Sequence, residues 1–308
     1  MLISRRAMLA GGPAVIAGSS PIFAAQAQPG SPLNFLVVGD WGSPDETRQR
    51  AVAVSMGKTA REYDCRFVIS TGDNFYERGV SNIDDALWEK TYEQIYTDGS
   101  LLCPWYPVLG NHDHYGNTQA QVDYSKISSR WTMPANYYRR THVLAGAPLL
   151  ELFFLDTTPL VDDSVSSWIK DALAGKSDDQ YSWLEASLKA SRAKWKIVVG
   201  HHPIYSGGPH AISQALVQRL KPLLVANGVI AYLNGHDHNF QHIVADRVHF
   251  LTCGSGSQSS QTQAVEGTRF ASAEIGFMRC ELTHSTIAVE FVTADGRSLH
   301  TAELTSET

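Results

Sequence analysis

Five short stretches of this sequence carry side chains of the kind that hold metal ions, and each follows an apolar run closed by glycine. They are Gly39-Asp40-Trp41-Gly42, Gly72-Asp73-Asn74-Phe75-Tyr76, Gly110-Asn111-His112-Asp113-His114, Gly200-His201-His202-Pro203 and Gly235-His236-Asp237-His238. Carboxylate, phenolate, amide oxygen and imidazole are hard to borderline ligands, and no thiolate joins them. Such a set suits iron, manganese or zinc rather than copper(I) or an iron–sulfur cluster. The histidines cluster in the same places: His112, His114, His201, His202, His210, His236 and His238 are seven of the chain's 12. Singly the signals are weak, because Asp and Asn favour turns for reasons of their own. Five at five strand ends are different, since parallel strands deliver their carboxyl ends to one edge of a sheet.

The elements that must do this positioning are legible as alternating strand and helix patterns. Apolar runs of strand length lie at Asn34–Val38, Phe67–Ser70, Trp105–Leu109, Leu149–Leu155, Lys196–Val199, Val229–Leu233 and Val248–Thr252. Ser43-Pro44-Asp45-Glu46 is a capping box with proline at the first helical position, opening a helix towards Tyr63. Helical spacing also appears over 83–98, 181–193 and 210–227. From Phe277 the pattern switches to short alternating strands, with Asp295-Gly296 as a hairpin turn. Two stretches read as mobile loops, 157–179 and Gly254–Gln263. An α/β layered fold follows, with its site at the carboxyl ends of the strands.

With 308 residues, 43% of them hydrophobic and 10% aromatic, the chain is an ordinary globular protein with one catalytic-sized domain. Its formal charge of −6 argues against nucleic acid as a partner, because phosphate-backbone binding needs a basic surface. The start, Ser4-Arg5-Arg6 followed by small and apolar residues to Phe23 and then Ala25-Gln26-Ala27, reads as a twin-arginine export signal over residues 1–27. Its apolar part is too short and too broken to span a bilayer. Removing it takes away two arginines and no acids, leaving residues 28–308 as a single domain of charge −8. The expectation is a bacterial protein, periplasmic or secreted, monomeric and without a stable membrane anchor. Cys65, Cys103, Cys253 and Cys280 lack CxxC spacing and read as structural, with three possible pairings if oxidised.

The order DxG, GDxxY, GNHD, VxxH (Val198 to His201) and GHxH resembles the purple acid phosphatases, within the calcineurin-like metallophosphoesterases. More closely, it is similar to their small tartrate-resistant, mammalian-type branch. The similarity extends through Ser125–Ser128, Arg130-Trp131 and Gly228-Val229, and is collinear from about Asn34 to the C-terminal hairpins. What it implies is a layered α/β/β/α sandwich with a binuclear metal site at the strand carboxyl ends. Asp40, Asp73, Tyr76 and His238 would hold Fe(III), with Asp73 shared with a second divalent metal (iron, zinc or manganese). Asn111, His201 and His236 would complete the second position, and His112 and His210 match histidines placed near the phosphate.

The implied activity is that of an acid phosphatase acting on small phosphate monoesters by attack of a metal-bound hydroxide. Two metals about 3.5–4 Å apart lower the pKa of bound water from about 15.7. A protonated His112 or His210 would give the leaving group its proton, for a gain of about 10²–10⁴-fold, with an acidic optimum. His202 departs from the branch, where an aromatic is expected. By the same resemblance, 157–179 lies where the branch carries a loop over its active site, and lid and plain connection both remain open. Two other functions stay open as well: a phosphodiesterase or nucleotide pyrophosphatase of the same superfamily, and a non-hydrolytic iron-binding or redox protein.

Overall fold

The computed structural model describes residues 31–43, 46–144, 147–161 and 176–305. The export-signal segment 1–27 and most of the loop 157–179 therefore lie outside the described residues. Among the described residues thirteen strands form two sheets. The first has six, in the order β13 (Ser298–Thr305), β12 (Thr286–Thr293), β11 (Gly276–Leu282), β1 (Leu33–Val38), β2 (Phe67–Ser70) and β3 (Trp105–Pro107). The second has seven: β10 (Thr268–Ser272), β8 (Phe240–Ala245), β9 (Val248–Cys253), β7 (Ala231–Asn234), β6 (Trp195–Val199), β5 (Ala147–Phe154) and β4 (Tyr138–Leu144). β1, β2 and β3 run parallel, as do β5, β6, β7 and β9, while the remaining pairings are antiparallel.

Alternation along the second sheet explains the layering. Leu152, Phe154, Ile197, Val199, Leu233 and Leu251 join β1 and β2 in the core between the sheets. Their neighbours Phe153, Val198, Tyr232 and Phe250 face the other way, onto the helices α3 (Lys176–Ala190) and α4 (Gln214–Ala226) through Leu184, Leu188, Leu216, Leu220 and Leu224. Strands buried on both faces read as continuous apolar runs, which is why β1, β5 and β6 stand out in the sequence. α1 (Glu46–Glu62) packs Val52, Met56 and Ala60 on the outside of the first sheet. The result is the α/β/β/α sandwich. Among the described residues no helix is long and apolar enough to cross a membrane.

Two local readings differ from the expectation. Residues 83–98 form no long helix; the regular part is one π-type turn, Trp88–Glu93. The spacing there serves a block of aromatics instead. Trp88, Tyr92 and Tyr96 pack with Trp41, Phe75, Trp105 and Trp131, and Trp88 stacks on Tyr124 of the short helix α2 (Thr118–Tyr124) at 3.6 Å between ring centroids. The glycine- and serine-rich segment from Gly254 also starts inside the fold. Ser255 and Ser257 are fully buried, and Ser257 Oγ donates to the carbonyl of Asp40 at 2.7 Å.

Candidate metal centre

All seven residues expected to hold metal come together at one edge of the sandwich, where β1, β2 and β3 of one sheet meet β6 and β7 of the other. Each lies two to six residues beyond its strand. Glycine makes this approach possible: a Cβ on Gly110 would stand 2.1 Å from Asp73 Oδ1, and one on Gly235 2.2 Å from Asp40 Oδ2. The chain also takes a left-handed turn at Asp40 (φ 57°), Asp73 (φ 48°) and His236 (φ 70°). Backbone hydrogen bonds tie neighbouring loops within each sheet, Asp40 N to Gly72 O at 3.0 Å and Gly235 N to His201 O at 3.0 Å.

The first half of the centre is built round the Tyr76 hydroxyl. Its oxygen lies 3.1 Å from Asp40 Oδ1, 2.9 Å from Asp73 Oδ2 and 3.1 Å from His238 Nε2. One hydroxyl proton serves one of the two carboxylates, so the other approaches lone pair to lone pair, while His238 Nε2 donates or accepts according to its tautomer. A cation among them reverses each repulsion. Burial, then Asp40 and Asp73, hold the Tyr76 phenol well above its usual range, so a phenolate here requires such a cation. For His238 burial works the other way, but its hydrogen bond to Asp40 raises it overall.

The second half is nitrogen-rich. His201 Nδ1–H donates to the carbonyl of Thr71 at 2.9 Å, which leaves Nε2 facing inwards. That nitrogen lies 3.1 Å from Asn111 Oδ1, 3.1 Å from His236 Nδ1 and 3.4 Å from Asp73 Oδ2. Asp73 Oδ2 is thus shared between the two halves. Burial opposes a charge on His201, but Asp73 and then Asp40 outweigh it and hold the imidazole up at about 9. Burial opposes ionisation of Asp73 too, and is outweighed by His201, so that its carboxyl stays well below the usual range. Two groups of ligand atoms within 4.8 Å of one another, Asp40/Asp73/His201 and His201/His202/His236, have the spacing of a metal site. These donors fit the binuclear centre the sequence implied.

His112 and His210 flank it. His112 donates its backbone N–H to Asp73 Oδ1 at 2.9 Å and its Nδ1–H to the carbonyl of Glu77 at 2.8 Å, with its ring 4.5 Å from that of Tyr76. His210 lies against the His236 ring at 3.9 Å and donates Nδ1–H to Asp237 Oδ1 at 2.8 Å; its side chain is 49% exposed.

Three supporting groups went unrecognised in the sequence. Asp113 is buried and accepts from the backbone of Gly110, Asn74 and Phe75 and from Gln121, which fixes the loop carrying Asn111. Burial, then the charge of Asp73, pushes its carboxyl up to about 6. Asp237 holds His210 by both its backbone and ring nitrogens. The first two stood inside the motifs GNHD and GHDH, but their residue type alone gave no sign that they face backbone rather than metal. Thr157, just beyond β5, binds the His201–His202 turn through its hydroxyl; the sequence put it in a loop. Of the histidines left without a site role, His114 pairs with Asp156 at 2.9 Å in the interior, His142 stacks on Phe67, and His242, His249 and His300 form a hydrogen-bonded row.

Comparison with known proteins gives the family. Residues 33–240 match the Calcineurin-like phosphoesterase family. Purple acid phosphatase 4 of Arabidopsis thaliana is 38% identical over 88% of this chain and 83% of its own length. Tartrate-resistant acid phosphatase type 5 of Homo sapiens is 36% identical over 88% of this chain and 90% of its own. Among solved structures, GAP50, the anchor in the inner membrane complex of Plasmodium, superposes with a TM-score of 0.78 at 30% identity, covering 90% of each chain.

Proposed function

This chain belongs to the purple acid phosphatases, calcineurin-like phosphoesterases that hydrolyse phosphate monoesters at a binuclear metal centre, and from that membership we propose which of its residues do what. Asp40, Asp73, Tyr76 and His238 hold a ferric ion. Asp73, Asn111, His201 and His236 hold a divalent one, iron, zinc or manganese. The observation that carries this is the Tyr76 oxygen, set within 3.1 Å of two carboxylates and an imidazole, one of those carboxylates also reaching His201. Two anionic carboxylates and a phenolate suit a trivalent cation; one shared carboxylate, an amide and two imidazoles suit a divalent one.

When bound, the two cations neutralise phosphoryl oxygens and acidify a water. The chain's own part is to orient and to move a proton. Asp73 is fixed by the His112 backbone on one oxygen, which leaves the other to face both halves. His112 and His210 are each anchored through Nδ1, to Glu77 O and Asp237, so Nε2 is the nitrogen that carries a proton towards the leaving alkoxide. Both stand at the mouth, partly exposed, where a small phosphate ester arrives. Protonated imidazoles give an acidic optimum. Export by the twin-arginine route to the periplasm or medium, a monomeric state and indifference to nucleic acid complete the reading. Arg5-Arg6 and the apolar stretch behind them support the export route, and the acidic charge supports the indifference to nucleic acid.

The test is metal analysis with a visible spectrum of the purified protein. Two metals per chain and a tyrosinate-to-iron(III) band that disappears in Tyr76→Phe are expected. A colourless, iron-free enzyme that cleaves p-nitrophenyl phosphate overturns the ferric assignment, and preference for the bis-ester overturns the monoester reading.

A further inference from the structure

His202 stands beside the divalent half of the centre and takes no part in the scheme above. Its side chain is buried, its ring centroid lies 5.0 Å from that of His201 and 4.5 Å from that of His236, and a ring nitrogen is within 4.8 Å of their ligand atoms. On geometry alone it is a candidate third imidazole ligand. The hydroxyl of Thr157 decides otherwise. That oxygen accepts the backbone N–H of His201 at 3.1 Å and of His202 at 3.0 Å, which occupies both of its lone pairs. Its own proton then points at the remaining neighbour, His202 Nδ1, 2.8 Å away. Nδ1 is therefore an acceptor, and the ring proton sits on Nε2. Nε2 is buried and has no hydrogen-bond partner among the described residues. A buried N–H left unpaired costs about 1–3 kcal/mol, so a partner is expected that is not among the described residues.

Resting on the metal-centre reading, we propose that His202, locked by Thr157, presents a fixed Nε2–H donor to an oxygen ligand at the divalent position. It is not a metal ligand. The oxygen belongs either to a phosphoryl group or to a water, and both accept a hydrogen bond from a neutral imidazole.

The holoenzyme distinguishes these. His202→Phe keeps the ring and removes the donor; His202→Gln keeps an amide N–H near the position of Nε2. Three quantities are read: metals per chain, the calorimetric Kd of inorganic phosphate, and the pH profile of kcat. A phosphoryl acceptor predicts two metals retained in His202→Phe, phosphate binding weakened about tenfold or more, and most of that loss restored in His202→Gln. A water acceptor predicts full metal and unchanged phosphate binding, with the acidic limb of kcat moved to higher pH in His202→Phe and back in His202→Gln. Loss of the second metal in His202→Phe overturns the proposal in favour of a ligand. Three unchanged quantities, or equal damage in both variants, overturn it in favour of packing. A long-range proton–nitrogen spectrum of the zinc-loaded protein showing the proton of His202 on Nδ1 overturns it too. Failure of the underlying reading shows separately, as a wild-type protein that lacks two metals or releases no phosphate.

Discussion

Asp237→Asn is the sharpest test of how the centre holds His210, its proposed proton donor. Asp237 is fully buried between His236 and His238, and both its oxygens accept. Oδ1 takes the His210 backbone N–H at 3.2 Å and Nδ1–H at 2.8 Å; Oδ2 takes the Ser206 hydroxyl. Ser206 Oγ is itself saturated, accepting from Gly208 N at 2.9 Å and Gln241 Nε2 at 2.8 Å. An asparagine must turn its NH₂ towards one side or the other. Facing Ser206 it meets a donor with no free lone pair; facing His210 it meets two N–H groups. Either way one buried donor is unpaired, at about 1–3 kcal/mol. If that is relieved by His210 leaving its position, the properly placed population falls by about 5- to 150-fold. The expected result is kcat lowered about 10- to 100-fold, with two metals retained and KM little changed. Because Asp237 acts through His210, Asp237→Asn should have little further effect on kcat in a His210→Ala background. Steady-state kinetics with metal analysis on the two single variants and the double variant check this. Equal factors for Asp237→Asn in both backgrounds, or wild-type kcat in the single variant, refute the reasoning.

Two further outcomes follow from the same structure. Burial, then the neighbouring imidazoles and Arg269, lower the buried His242 to about 3, while burial and then Arg269 lower His249 to about 4, against about 6.5 unfolded. Their contribution to stability is complete above about pH 6.5 and falls as pH drops towards 4, by up to about 1.4 kcal/mol per pH unit for each proton taken up on unfolding. Urea unfolding at pH 7, 6 and 5 should show it, and a His242→Gln variant with the same slope as wild type refutes it. Stripping the metals with a chelator should lower Tm by several degrees, because ions that bind only the folded chain stabilise it by mass action; an unchanged melting curve counts against a metal centre in the described geometry.

How much was legible beforehand depends on the range of the interactions. The strand ends were legible because both-face burial writes a continuous apolar run, and the glycine and acid or histidine that follow mark the exit. The pairing of those strands was not: that β1 lies between β11 and β2, and β7 between β9 and β6, is settled by contacts distant in sequence. Residues 83–98 show how a correct pattern can be given the wrong cause, since Trp88, Tyr92 and Tyr96 recur at helical spacing but answer to Trp41, Trp105 and Trp131. Within the site, the carboxylates, phenol and imidazoles that converge on one another were recognisable by type. Those that face the backbone, Asp113, Asp237 and Thr157, were not, because a carboxylate or hydroxyl looks the same in sequence whichever way it points.

The proposed ligands also solve a backbone problem. Asp40, Asp73 and His236 occupy the left-handed region, at a cost of about 1–3 kcal/mol each for a residue with a Cβ. Asp, Asn and His are the side-chain-bearing residues most often found there, so the same residue types that bind metal tolerate the sharp turns needed to reach it. Neither sheet alone can hold three such turns. They are held jointly: Asp40 N bonds to Gly72 O, the His236 N–H bonds to Asp40 Oδ2 at 3.0 Å, and Ser257 closes over the Asp40 carbonyl from the far side of the second sheet's last loop. Each of these bonds joins residues from different strand ends. The strain at any one ligand is therefore borne by the closure of the whole sandwich, and the site exists only where the two sheets meet. The same coupling runs in the other direction. A cation that relieves the repulsion round Tyr76 and His201 stabilises those turns, and through them the packing of the two sheets against each other.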